Sequence, residues 1–368
     1  MKGTISRIAR PRSSFVSPVL FAIFLLCAAA PGQAQRGRLV REVVHGVSLE
    51  KNVTGDSPDR PVSIYLPPSY DSSPQKRYPV VYVLHGIGDT DEQWIRPWDE
   101  DDDWGTVQDV MDRGIADGRL SEMIVVIPDQ RTRIGGSFYS NSAASGNWED
   151  FTVKDLVGFV DSKYRTLARA SSRGITGHSM GAHGAIKLGM KHPDVFSVVY
   201  GMNPAVLGWG QDLSIDNPAF QRALTATPEN MRNHGFYVPA ILCLGQAFSP
   251  NPGKPPFFAD LPFALSTGRL EPLEPAFGKW EENMPLYIVR NYRENLTKLR
   301  ALRFDAGAED QFTHIPQTAR QFSQRLTSLG IPHVFEEYNG DHRNRLWGRS
   351  GRINNAVFPY FSQKLERE

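Results

Sequence analysis

"GITGHSMGAHGA", residues 174–185, decides how the chain is read. Ser179 stands with Gly177 two residues before it and Gly181 two residues after it. Glycine at both positions permits a turn so sharp that side chains there would collide, and such a turn holds a serine at an unusual backbone angle with its hydroxyl exposed. The chain has 32 glycines, so the pattern gains meaning only from its surroundings. Before it, "RGITGHS" has strand character. After it, "MGAHGAIKLGMKHP" has helical spacing and stops at Pro193. Ser179 is therefore expected at the carboxyl end of a strand. The helix starting at Met180 aims its free N–H groups and positive dipole end at the same point.

Working outward, the same alternation recurs. "VVYVLHG" (80–86), "MIVVIPD" (123–129) and "VFSVVYG" (195–201) read as buried strands. "WGTVQDVMDRGIADG" has helical spacing up to Gly118. "NWEDFTVKDLVGFVDSKYRTLA" reads as one long amphipathic helix with Phe151, Leu156, Phe159, Val160 and Tyr164 on one face. Two strand-like runs occupy 39–66. Beyond about 283 the order resumes with a helix over 284–299, the strand "ALRFDAG", a helix over 315–329, the strand "HVFEEY" and a last helix over 352–366. Strand alternating with helix implies an α/β fold with a mostly parallel central sheet covered on both faces. Open sheets of this kind bind ligands at the carboxyl ends of their strands. The alternation breaks at about 204–283, a proline-dense stretch. Its aromatics, Trp209, Phe220, Phe257, Phe258 and Phe263, point to a packed, lid-like insertion rather than a linker.

The 368 residues fit one large domain with an insertion, and 40% hydrophobic content supports a sizeable core. A formal net charge of +1 gives no electrostatic argument for nucleic acid or for an acidic membrane surface. Residues 1–35 differ from the rest. Lys2, Arg7, Arg10 and Arg12 precede the apolar "FVSPVLFAIFLLCAAA", and "PGQAQ" offers a small residue at Ala34. That order is a secretory signal peptide, with cleavage expected near Ala34 and residues 36–368 forming the mature domain, secreted or periplasmic and without stable membrane insertion. An uncleaved anchor over 13–35 and a lipoprotein site at Cys27 are the weaker alternatives. Cys243 alone would remain after cleavage. It lies in apolar "AILCLG" and reads as a small buried hydrophobe, so no internal disulfide is expected.

A serine hydroxyl is a weak nucleophile that needs a base, a carboxylate to orient the base, and donors for the oxyanion. With this topology the chain order is Ser, then Asp or Glu, then His, each on a loop after a strand. The histidine after the last strand is His342, in "YNGDHRN". "FDAGAEDQF" offers Asp310 as the acid, beyond the turn at Gly307, with Asp305 and Glu309 as alternatives. Oxyanion donors are expected from the backbone of Met180 and of Ile87 in "HGIGDT". Gly86, Gly88 and His178 are expected against the substrate. The acidic "WDEDDDW" (98–104) lacks the spacing of a calcium loop and reads as a solvated helix entry. No histidine or cysteine pair has zinc-site spacing, and no phosphate-binding glycine motif occurs between a strand and a helix, so no metal or cofactor is expected. Nothing in the sequence sets an oligomeric state.

These residues resemble a family of α/β-hydrolases that includes feruloyl and acetyl-xylan esterases, S-formylglutathione hydrolases of the esterase D group and bacterial mycolyltransferases. The resemblance covers roughly 50–366 and rests on "YVLHGIGDTDEQW", "MIVVIPD", "GHSMGAHGA", "DAGAEDQF" and "GDHRNRLW". "HGIG" with Trp94 looks most like the feruloyl and acetyl-xylan branch, in which a tryptophan often stands two residues past the histidine. Here Asn344 occupies that place and Trp347 matches a later one. The S-formylglutathione branch carries a cysteine after its first glycine loop, where this chain has Thr90 and Asp91. The resemblance implies a serine carboxylesterase acting on a small-molecule or polysaccharide-linked ester, with feruloyl or acetyl esters of plant polysaccharide as first choice. Acyl transfer to a sugar hydroxyl, thioester hydrolysis of the S-formylglutathione kind and a non-catalytic binding protein are the alternatives.

Overall fold

β-Branched residues in alternation start the sheet. In the computed structural model, which describes residues 1–4, 36–97 and 104–368, Arg38–His45 (β1) pairs antiparallel with Asp59–Leu66 (β2). Then come Val80–Leu84 (β3), the helix Val107–Ala116 (α1) and Ile124–Pro128 (β4). A second helix runs through Trp148–Asp150, Phe151–Leu156 and Val157–Lys163 (α2). Arg173–His178 (β5) leads through Ser179 into Met180–Lys191 (α3), and Val198–Met202 (β6) follows. After the insertion come Ala301–Gly307 (β7), a helix over His314–Ser328, Val334–Tyr338 (β8) and a closing helix ending in Phe358–Lys364. The eight strands lie in the order β1-β2-β4-β3-β5-β6-β7-β8. β1 and β2 are antiparallel to their neighbours and every pair from β4 to β8 is parallel. This is the α/β-hydrolase fold, with Ser179 beyond the end of a central strand.

The chain divides into two units, Met1–Ala34 and Gln35–Glu368, and all of these elements belong to the second. The apolar leader, Cys27, the cleavage point near Ala34 and Trp98–Asp103 of the acidic run lie outside the described residues. Among the described residues no helix is long and apolar enough to cross a membrane.

Every residue of β3, β4 and β5 is buried. Side chains alternate across a strand, so each strand feeds two cores. Val80, Tyr82 and Leu84 of β3 join the core containing Trp148, Ile186 and Leu188. Val81 and Val83 join the one containing Met111, Phe358 and Phe361. Each buried Val or Leu contributes about 1.5–3 kcal/mol. A fully apolar five-residue strand is therefore fixed at the sheet's centre.

Three expected elements differ. The helix over 147–168 ends at Lys163 because Tyr164 is extended, and it contains a π segment, Phe151–Leu156. That widened turn changes the helical phase, and Phe159 is only half-buried while Val153 and Val157 turn inward. The helix expected over 284–299 is three pieces, Pro285–Ile288, Val289–Tyr292 and Arg293–Leu296, across a run of β-branched, Asn and Tyr residues with weak helix preference. The stretch 204–283 is more regular than its prolines suggest. It holds the helices Pro218–Ala223, Tyr237–Phe248 and Ala276–Glu281 and a hairpin of Phe263–Ser266 with Arg269–Pro272. Trp209 stacks on Trp280 at 5.5 Å, and Phe220 meets Phe263 edge-on at 4.8 Å. An aromatic cluster thus packs the insertion. Cys243 is fully buried on Tyr237–Phe248, and burial pushes its thiol up to about 12.

The crossing of α3 over β3 is close enough to need both glycines. A Cβ on Gly181 would lie 2.2 Å from the Leu84 carbonyl oxygen, and one on Gly177 would lie 2.5 Å from the Gly181 carbonyl carbon. Backbone cannot yield as a side chain can. Gly181→Ala is expected to cost on the order of 3 kcal/mol or more, read as a large fall in Tm or loss of soluble protein. A melting curve matching the parent would contradict this packing.

Candidate active site

Ser179 has φ +58° and ψ −117°, a region that side chains rarely occupy. Such strain costs on the order of 1–3 kcal/mol and persists only where neighbours over-determine it. They do so here. The Ser179 N–H donates to Met202 O at 3.0 Å, and its carbonyl accepts from the N–H groups of Ala182, His183 and Ala205 at 3.1, 3.1 and 3.2 Å. The turn is thus pinned to the end of β6 on one side and to the first turn of α3 on the other.

His342 Nδ1 lies 2.7 Å from Asp310 Oδ2, with both side chains buried. Asp310 Oδ1 accepts the Phe312 N–H at 2.8 Å, so one carboxylate both shapes its loop and orients the ring. Burial pushes the His342 imidazole well below its ordinary range, with the Arg343 charge adding to it. Burial also raises Asp310, against the Phe312 N–H. A neutral imidazole is the form that can accept a proton. Among the described residues no hydrogen bond joins the Ser179 hydroxyl to His342, a bond that often tightens only with substrate. Phe312 packs edge-on against His342 at 4.8 Å and lines the same cavity as Ser179.

The other two acids go elsewhere. Glu309 is exposed. Asp305 is fully buried within β7, where Oδ2 accepts from Tyr200 Oη and from Arg352 Nε, each at 2.7 Å. Strand pairing fixes the direction of its side chain, and it anchors the segment that enters the closing helix.

Ile87 and Met180 both line the cavity with Ser179. Among the described residues their backbone N–H groups have no acceptor. Gly88 takes φ +81°, and its own N–H is committed to Gly135 O at 2.9 Å. His85 braces this loop. Its Nδ1–H donates to Gly86 O at 2.7 Å while Nε2 accepts the Gln130 N–H at 2.8 Å, and Tyr139 Oη donates to its carbonyl at 2.8 Å. The loop passes within van der Waals reach of the serine: a Cβ built on Gly86 would lie 3.7 Å from Ser179 Cβ. Gly86, Gly88 and His178, expected against the substrate, are placed differently. Gly88 lines an outer cleft, whereas Gly86 and His178 line neither cavity. His178 is buried, its ring 4.5 Å from that of His342, and its Nε2–H donates to His342 O at 2.8 Å. It positions the base from behind.

Asn203 was not singled out from the sequence. It is fully buried, with φ +47°, just past β6. Its Nδ2 donates to Tyr338 Oη at 2.9 Å and His342 O at 3.1 Å, and its Oδ1 accepts the Gly307 N–H at 2.8 Å. An Asn one residue beyond a central strand tolerates φ above zero, and that was the available signal.

The cavity beside Ser179, about 450 Å³ with its mouth, is almost wholly apolar. One wall is the insertion helix Tyr237–Phe248, through Tyr237, Ala240, Ile241 and Leu244. The proline-rich 249–275 contributes nothing to it. Ile87 and Phe236 also border an open cleft of about 950 Å³ with Arg131, Arg133 and Arg232 on its sides.

A family model described as "Putative esterase" matches residues 57–350. The chain belongs to this esterase family. An esterase of Mycobacterium tuberculosis is 33% identical over 293 residues, covering 76% of this chain and 52% of that protein. An S-formylglutathione hydrolase of Arabidopsis thaliana is 30% identical over 171 residues, covering 40% of this chain and 54% of its own. The chain spans about half the length of these curated relatives. Among solved structures, a ferulic acid esterase superposes with a TM-score of 0.57 at 21% identity, over 90% of this chain and 99% of its own. An S-formylglutathione hydrolase from Agrobacterium tumefaciens reaches the same TM-score of 0.57 at 16% identity, over 91% and 98%. The two structures support the shared fold.

Asp310→Asn and Asp305→Asn should therefore fail differently. The first is expected to cut kcat by about 10³–10⁴, because an amide cannot stabilise an imidazolium, with Tm little changed. The second removes one of the two carboxylates on Arg352, which keeps Glu336 at 2.7 Å, and should cost about 1.5–3 kcal/mol in stability, while the folded fraction keeps its rate. Reversed outcomes in kcat and Tm would assign the acid to Asp305.

Proposed function

We propose that this chain hydrolyses carboxylic esters through Ser179, His342 and Asp310. The carrying observation is the buried 2.7 Å His342–Asp310 pair, joined through Phe312 to the cavity lined by a serine held at φ +58°. Ser179 Oγ attacks the ester carbonyl while His342 Nε2 takes its proton. Asp310 keeps the ring's proton on Nδ1 and stabilises the imidazolium. The N–H groups of Ile87 and Met180 stabilise the oxyanion. Collapse of the tetrahedral intermediate expels the alcohol, which leaves with the proton from His342. Water, activated by the same imidazole, then cleaves the acyl-enzyme, releases the acid and restores Ser179.

The substrate reading is an acyl or aryl ester, with feruloyl or acetyl esters of plant polysaccharide first. Its supports are the apolar cavity next to Ser179, the broad outer cleft able to take a large alcohol, and the ferulic acid esterase among the structures of like fold. Export is part of the proposal and rests on the basic, apolar and small-residue order of residues 1–35.

Ser179→Ala should lower kcat on p-nitrophenyl acetate and methyl ferulate by on the order of 10⁴ or more, with the fold intact. A fluorophosphonate probe should label Ser179. Labelling of another serine, or near-normal turnover by the alanine variant, would refute the assignment. For export, the intact mass of protein recovered from its host should place the N-terminus close to Gln35. A full-length chain confined to the cytoplasm would refute it.

A further inference from the structure

A second histidine–carboxylate pair faces the same cavity. His314 opens the helix His314–Ser328 and lines the cavity beside Ser179. Its Nδ1 lies 2.8 Å from Asp212 Oδ1, on the insertion. That carboxylate also accepts the backbone N–H groups of His314 at 2.7 Å and Thr313 at 3.0 Å, and the hydroxyl of Tyr237. Burial opposes the charge on Asp212, but these donors outweigh it and hold the carboxyl below its ordinary range. Asp212 takes up the N–H of Nδ1, so Nε2 is the ring nitrogen left to meet a ligand.

That Nε2 has no partner. His314 is 4% exposed and its Nε2 is among the buried polar atoms without a hydrogen bond. Of those atoms in the described residues, it alone belongs to a residue lining the Ser179 cavity. The Asp212 pairing serves as a tether between insertion and helix, and that purpose accounts for Nδ1. It does not account for a second ring nitrogen kept unpaired in an apolar chamber, where an unsatisfied acceptor is costly. Leucine or phenylalanine would fill the wall without that cost.

We propose that His314 reads a hydroxyl on the acyl or aryl part of the substrate, its Nε2 accepting a hydrogen bond inside an otherwise apolar cavity. The site then selects hydroxylated acids over their unsubstituted counterparts. This rests on Ser179 being the nucleophile, since Ser179 sets which half of the ester enters the cavity. Selectivity arises because a buried acceptor left unpaired by the wrong acid penalises that acid, whereas an apolar wall would penalise the hydroxyl.

The test uses the full chain and matched methyl esters: cinnamate against 4-hydroxycinnamate, and hexanoate against 6-hydroxyhexanoate, with monomethyl adipate as the carboxylate counterpart. The parent protein should prefer the hydroxylated member of at least one pair by about tenfold or more in kcat/KM. His314→Asn places an amide where Nδ1 was, keeps the Asp212 contact, and should bring that ratio close to one. His314→Gln reaches the place of Nε2 and should retain part of the ratio. Equal rates within both pairs in the parent would overturn the proposal with no variant needed. So would a ratio that survives His314→Asn, or a preference for the adipate ester. Turnover that persists in Ser179→Ala would instead remove the reading beneath it, a distinct result.

Discussion

The structure depends on one contact between backbones. Helix α3 crosses the end of β3 so closely that Gly181 meets the carbonyl of Leu84, and no side chain fits between them. The closeness brings the N-terminus of the helix and the loop 85–88 to one point. Two free N–H groups, from Ile87 and Met180, then border a single cavity beside a strained serine. A second backbone contact completes the site. A Cβ on Gly307 would lie 2.4 Å from Gly340 O, so the loops after β7 and β8 also cross without side chains between them. That crossing sets Asp310 level with His342. The hydrogen bonds of Ala308 N–H to Tyr338 O at 2.9 Å and Glu309 N–H to Gly340 O at 3.0 Å extend the sheet past its formal end.

Around these crossings the buried polar groups divide their work. The carbonyl of His342 receives both His178 and Asn203, which fixes the backbone of the base independently of its ring. The ring is fixed separately by Asp310. His85 holds the oxyanion loop from the opposite side through Gly86. Two of these braces are neutral histidines kept so by burial, which pushes His85 down and His178 further. A buried neutral imidazole can donate at one nitrogen and accept at the other without carrying charge. That suits it to bracing a site where charge must develop only in the transition state.

The parts legible in the sequence were those with a strict local cause. Glycines at 177 and 181 can be read because nothing else fits the turn. The apolar runs of β3 and β4 can be read because a strand buried on both faces has no polar position to spare. The order of serine, acid and histidine follows from the topology. Asp310 was separable from Asp305 because one lies beyond a glycine turn and the other within a strand. What could not be read depends on partners distant in the chain. His178, beside the serine, looks like a substrate contact until the carbonyl of His342 is seen to claim it. Asn203 acts on loops more than 100 residues away. In the insertion, prolines obscured the helix Tyr237–Phe248. Its wall of the cavity is built from Tyr237, Ala240, Ile241 and Leu244, a spacing that the apolar run "AILCLG" hides because both faces of that helix are buried.

The five residues from Asp310 to His314 link the site to the insertion. Asp310 at one end holds the ring of His342, and His314 at the other is held by Asp212 of the insertion. Phe312 lies between them, against His342 on one side and Phe236 of the insertion on the other, at 4.8 Å from each ring. The segment has no room to shift one end alone, because Asp310 Oδ1 and Asp212 both take its backbone N–H groups. The insertion is therefore no detachable cover. Its first half, through Asp212 and Tyr237, sets the position of the segment that carries the acid. Its second half, around the hairpin, lines no part of the cavity and packs through Phe263 on Trp209 and Phe220. Changes in the first half therefore act on the acid's segment and on the cavity wall together, whereas changes around the hairpin act on them only through the residues it packs against.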